Sequence, residues 1–226
     1  MRKLLSLIFS LLVTISMLAQ DQKPFFVYVG DPMCSWCYGF APELQKLEKQ
    51  YKNQIDLKVI VGGLRPYGTE PMDEQLAEFL REHWVEIEKR SGEKFNFGVL
   101  DDKSFILDTE PSCRAYKVLE AMGSDKIKGF HEVQKVFYVK NDDPKKVESY
   151  QPVCETLGLN FEDFKQKFES EEFKNLTKND FASAQQMGVT GFPTLLMVTK
   201  EQAYILSRGY QEAENLFPQI EKLLNQ

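Results

Sequence analysis

The chain has 226 residues, 42% hydrophobic and 27% charged, a soluble globular composition with room for one core plus a sizeable insertion. Its 28 basic and 34 acidic residues give a net charge of −6, and no basic cluster stands out. That balance argues against nucleic acid or an anionic membrane surface as a partner.

Arg2 and Lys3 precede an uncharged apolar run from Leu4 to Leu18, closed by Ala19, Gln20 and Asp21. This order predicts a secretory signal peptide over residues 1–19. The run has 15 residues, whereas a membrane span needs about 20. An uncleaved anchor is the alternative, and Met17 leaves the cleavage point open. Export places the mature chain in the periplasm or another extracytoplasmic space, where disulfides persist.

Phe25–Val29 reads as a buried strand ended by Gly30 and Pro32. A loop with Cys34-Ser35-Trp36-Cys37 follows, then a helix with Phe40, Leu44, Leu47 and Tyr51 on one face. Ile55–Val61 is the second strand. From Glu70 to Met187 helix signals dominate. Pro71 suits a first helical position, ahead of a face made by Leu76, Phe79, Leu80 and Ile87. Thr109 and Pro111 open a helix that Gly123 closes, and Asp143-Pro144 open one that Gly158 closes. Asn160 caps a helix carrying Phe164 and Phe168, and the last of the block runs from Ser170 to Met187. Thr194–Thr199 and Ala203–Ser207 form a hairpin. The closing helix carries Ala213, Leu216, Phe217, Ile220 and Leu224, and Pro218 is expected to kink it or shift its start. The layout is βαβ, a helical block, then ββα, which makes one small mixed sheet with both faces covered.

Cys34 sits where a loop enters a helix. Unpaired backbone N–H groups and the helix dipole meet there, and both favour a thiolate, the nucleophile of disulfide exchange. Cys37 lies one turn on, on nearly the same face. A zinc site needs two further ligands, and His83, His131, Cys113 and Cys154 form no second close pair, so no metal is expected. In the stretch Gly188–Thr194, the Phe192–Pro193 bond reads either as a cis turn or as a trans proline opening a strand. Cys113 and Cys154 read as small core residues whose pairing geometry alone decides, with a role near the redox site as the alternative for Cys113. Asp31 reads as a cap on the loop–helix junction, with proton acceptance from Cys37 as the alternative. His83 and His131 read as surface residues, and the Phe161, Phe164, Phe168, Phe173, Phe181 block as core of the helical segment.

"CSWC" after the first strand and "GVTGFPT" before the third resemble the thioredoxin superfamily, and Pro42 matches the proline of its active-site helix. With the helical insertion, the whole is similar to the DsbA family. "DPMCSWC", "GGLRP" (62–66), "EPSCRA" (110–115) and "DFASAQQMGVTGFPTLL" from Asp180 resemble its FrnE-like branch. The resemblance implies an α/β thioredoxin-like domain over 24–63 and 188–226, with an all-helical insertion over 64–187. It implies Cys34 as attacking thiol, Cys37 as resolving thiol and Pro193 as a cis-proline facing them. Phe192 would offer backbone groups to an extended substrate segment. Trp36 would be an exposed apolar contact for substrate, with a core anchor as the alternative. Partners would be cysteine-containing proteins and a redox partner protein, with no bound cofactor and no stable membrane association after signal removal. Ser35-Trp36 is neither the Gly-Pro of thioredoxins nor the Pro-His of strongly oxidising members, so the direction of electron flow stays open. Two other readings remain: a glutathione-dependent kappa-type transferase or isomerase, and a copper-binding module using Met33, Cys34 and Cys37.

Overall fold

The computed structural model describes residues 23–225. The expected signal peptide lies outside them. Among the described residues no helix is long and apolar enough to cross a membrane.

Four strands form one mixed sheet in the order β2-β1-β3-β4: β1 (Phe25–Gly30), β2 (Asp56–Val61), β3 (Thr194–Val198) and β4 (Ala203–Arg208). β1 is parallel to β2, with Phe25 opposite Asp56 and Gly30 opposite Val61. It is antiparallel to β3, which pairs antiparallel with β4 through a bulge at Leu195/Leu196. As a central strand, β1 is covered on both faces, and its period-two alternation divides it. Phe26 and Tyr28 join Leu195 and Met197 on one face, under α1 (Ser35–Tyr51) and α8 (Ala213–Leu224). Val27 and Val29 join Leu196 and Ala184 on the other.

Between β2 and β3 run α2 (Glu74–Ser91), α3 (Glu110–Ala121), α4 (Lys126–Tyr138), α5 (Gln151–Leu157), α6 (Phe161–Glu169) and α7 (Glu171–Gln186). Their ends follow local chemistry. Asp73, Asn160 and Ser170 accept backbone N–H groups from Leu76, Asp163 and Phe173, and Gly92 and Gly158 close α2 and α5 in left-handed backbone. A second, aromatic core joins this block to α1, built on Trp84, Phe95, Phe137 and Tyr138 against Met33 and Tyr38.

Four local expectations meet the structure as follows. Pro71 does not open α2 but makes a β-bridge with Ile106, and Asp73 caps the helix. Asp143-Pro144 leads into a 3-10 turn at Val147–Tyr150, so α5 starts at Gln151. Pro218 sits inside α8, whose start stays at Ala213. Phe79, expected on the buried face of α2, is 53% exposed.

Candidate redox site

The β1–α1 loop places both motif cysteines. Asp31 carbonyl accepts the Cys34 N–H at 3.0 Å, closing a turn that presents Cys34 as the N-cap of the 17-residue helix α1. Cys34 is 7% exposed and Cys37 fully buried. The Cys34 thiol donates to the Phe192 carbonyl at 3.6 Å, across 158 residues of chain. The Phe192–Pro193 bond is cis, and Pro193 is buried at the start of β3. Phe192 is half-buried, its ring packed over Gly62, where any side chain would overlap it. Cys34, Cys37, Phe192 and Pro193 therefore converge.

Burial pushes the Cys37 thiol well above the ordinary range, and the neighbouring Cys34 sulfur adds to this. The neighbouring Tyr28 hydroxyl and Asp31 backbone act in the opposite direction. Sequence patterning marked Tyr28 only as a strand residue. The available signal is that alternation puts position 28 on the face of β1 that meets α1.

Trp36 is half-buried rather than exposed. Its ring lies 5.9 Å from that of Tyr210, and the Arg90 guanidinium of α2 sits over both, 5.9 and 4.5 Å from their centroids. Any apolar contact for substrate is limited to the uncovered part of the indole.

Asp31 does not cap α1, whose N-cap is Cys34. Its carboxylate is fully buried and accepts the N–H groups of Met33 at 2.8 Å and Leu64 at 2.6 Å. It also receives the Cys113 thiol at 3.5 Å. Burial pushes its carboxyl up, while the Leu64, Met33, Thr109 and Cys113 donors pull it back. The loop after β2 is further held by α3's Thr109, whose hydroxyl accepts from Arg65 N–H at 3.1 Å. Cys113 is thus part of the shell under the redox pair, its thiol raised well above the ordinary range by burial and then by the Asp31 charge. Cys154 is buried elsewhere in the core, and all four cysteines are free thiols.

His131 is not a surface residue. Its side chain is 14% exposed and pairs with Glu93 at 3.4 Å, close to the ring of Tyr38, the residue after Cys37. His83 lies against Phe79 on α2, with Nδ1 2.7 Å from the Phe79 carbonyl.

A family profile described as thioredoxin matches residues 26–216. The chain belongs to that family. Among solved structures, this thioredoxin-family protein is similar to a candidate protein disulfide isomerase from Nitrosomonas europaea. Identity is 29% and the TM-score 0.82, over 90% of this chain and 98% of that one. It also resembles the cytosolic disulfide reductase DsbM from Pseudomonas aeruginosa, with 23% identity, TM-score 0.70, and coverage of 89% and 98%. A third likeness is to a DsbA oxidoreductase assignment from Streptomyces coelicolor, with 15% identity, TM-score 0.69, and coverage of 90% and 91%. No curated protein sequence matches. The fold is the DsbA-like variant of thioredoxin, a mixed sheet with helices between its second and third strands.

Proposed function

We propose that this thioredoxin-family protein is an exported thiol–disulfide oxidoreductase that exchanges disulfides with cysteine-containing proteins. The observation that carries the reading is the contrast within the pair. Cys34 keeps 7% exposure at a helix start beside the Phe192 carbonyl, while Cys37 is fully buried. In the reducing direction, the Cys34 thiolate attacks a substrate disulfide, forms a Cys34–substrate bond and releases one substrate thiolate. Cys37 then attacks the Cys34 sulfur, forms the Cys34–Cys37 disulfide and releases the second thiolate. Two electrons pass from the pair to the substrate, and the reverse sequence oxidises a dithiol. Phe192 and Pro193 line the place where an extended substrate segment would lie, and Trp36 with Tyr210 borders it.

The test uses two substitutions. Cys34→Ser abolishes exchange with a protein disulfide such as insulin. Cys37→Ser accumulates mixed disulfides with substrate proteins that a small thiol dissolves. Retained exchange in Cys34→Ser overturns the reading. So does conjugation of glutathione to a small electrophile with protein disulfides left untouched. Fractionation of cells producing the full chain, against one lacking residues 1–19, tests export: only the full chain should leave the cytosol.

A further inference from the structure

Helix α2 crosses the start of α1 at Gly39. A Cβ there would stand 2.5 Å from the Ile87 side chain and 3.5 Å from the Ser91 hydroxyl, so the last turn of α2 lies directly on α1. Trp36 is one turn before Gly39 on the same face of α1, and Arg90 belongs to that last turn of α2. From the other side, Gly209 donates its N–H to the Pro193 carbonyl at 2.7 Å, which sets the next residue, Tyr210, at the Pro193 end of the site. The Arg90 guanidinium spans the two rings, 4.5 Å from the Tyr210 centroid and 5.9 Å from that of Trp36.

Stacking on aromatic rings uses the flat face of a guanidinium and leaves the N–H groups along its edge free to donate. Arg90 is exposed, and among the described residues its side chain has no ion pair and no hydrogen-bond partner. Glu43 of α1 is engaged by Lys46 at 3.1 Å and by the Ala213 N–H at 2.8 Å, and Glu93 pairs with His131. A cation in the last turn suits the α2 dipole wherever its side chain lies. Lying flat on the two rings that border the redox pair is a separate fact. With 34 acidic against 28 basic residues the chain as a whole repels an acidic polypeptide, and Arg90 reverses that sign locally.

We propose, resting on the reading of Cys34–Cys37 as a pair that exchanges with protein disulfides, that Arg90 is a specificity-determining residue. The edge of its guanidinium receives a carboxylate of the substrate polypeptide, an Asp or Glu within a few residues of the reacting cysteine. Arg90 forms and breaks no bond in the exchange. It selects which polypeptide segment lies along Trp36 and Tyr210.

The experiment uses disulfide-bonded peptides that differ only in the residue beside one cysteine: Glu, Gln or Lys. Second-order rate constants for oxidation of the reduced, purified protein are measured at low and at high salt. The order of the peptides within each variant is the readout, so a general loss of rate cancels. The parent should react about fivefold faster with the Glu peptide than with the Gln peptide, the size of an exposed charge pair, and this preference should shrink at high salt. Arg90→Gln should abolish the preference, and Arg90→Glu should make the Lys peptide the fastest. Equal rates for the peptides in the parent overturn the inference. So does a Glu preference that survives in Arg90→Gln, or an Arg90→Glu variant that orders the peptides as Arg90→Gln does. Oxidised glutathione carries carboxylates of its own: an Arg90 dependence confined to it, with the peptides level, overturns the polypeptide as the source. Failure of the underlying reading looks different, because Cys34→Ser then exchanges with every peptide as the parent does.

Discussion

The Asp31 carboxylate accepts the Leu64 backbone N–H at 2.6 Å, joining the loop before α1 to the loop after β2. With Met33 N–H and the Cys113 thiol on the same group, one buried carboxylate ties three segments under the redox pair. Asp31→Ala strands two backbone donors in the interior. The expected cost for the two is about 2–6 kcal/mol, because each orphaned buried donor costs about 1–3 kcal/mol. That should appear as a lowered thermal midpoint.

Asp31→Asn tests the charge. Burial raises the folded-state carboxyl above its unfolded value of about 3.9. A raised pKa means the folded state holds the proton more tightly. This contribution is complete below about pH 4 and is lost as pH rises through the raised value. The asparagine variant lacks that dependence. Its urea midpoint, taken relative to the parent, should improve between pH 4 and pH 7.

Glu93 behaves in the opposite sense. Burial opposes its ionisation, but the adjacent His131 imidazole, aided by Tyr38, holds its carboxyl below the usual range. The depressed folded value contributes stability that is present above the unfolded value of about 4.3 and lost as pH falls through the folded one. Removing the partner with His131→Ala should flatten this acid limb. Melting curves from pH 3 to 6 that stay parallel for parent and variant would contradict it.

Gly62→Ala strikes the substrate side. The added methyl overlaps the Phe192 ring, which must move, carrying with it the carbonyl that faces Cys34. Exchange with a protein disulfide should fall several-fold more than reaction with a small disulfide, read as kcat/KM for each. Equal losses would mean that Phe192 takes no part in holding protein substrates.

Thiol labelling separates the four cysteines. Burial lifts Cys154 to about 11 and places Cys113 well above the ordinary range. At pH 7.5 the reduced native protein should take iodoacetamide at Cys34 within minutes, with Cys37, Cys113 and Cys154 labelled only in denaturant. Mass spectrometry of the peptides reads this directly. Rapid native labelling of Cys154 would contradict its place in the core.

The chain by itself determined the strands, most helix ends and the Cys34–Cys37 motif. Each of these is written in a short window: alternation along Phe25–Val29, a capping Asn160, a glycine closing α5, two cysteines one turn apart. At Pro71 the local signal misplaced the start of α2, because pairing with Ile106 holds that residue outside the helix and Asp73 caps it. Tertiary structure alone decided which groups meet. Asp31 is a buried tie rather than a helix cap because Leu64 and Cys113 arrive from 33 and 82 residues away. His131 is enclosed because Glu93 and Tyr38 close over it, and Trp36 is half-covered because Tyr210 and Arg90 reach it from other elements. Burial and long-range hydrogen bonds depend on what remote chain lies opposite a residue, and local periodicity carries no record of that.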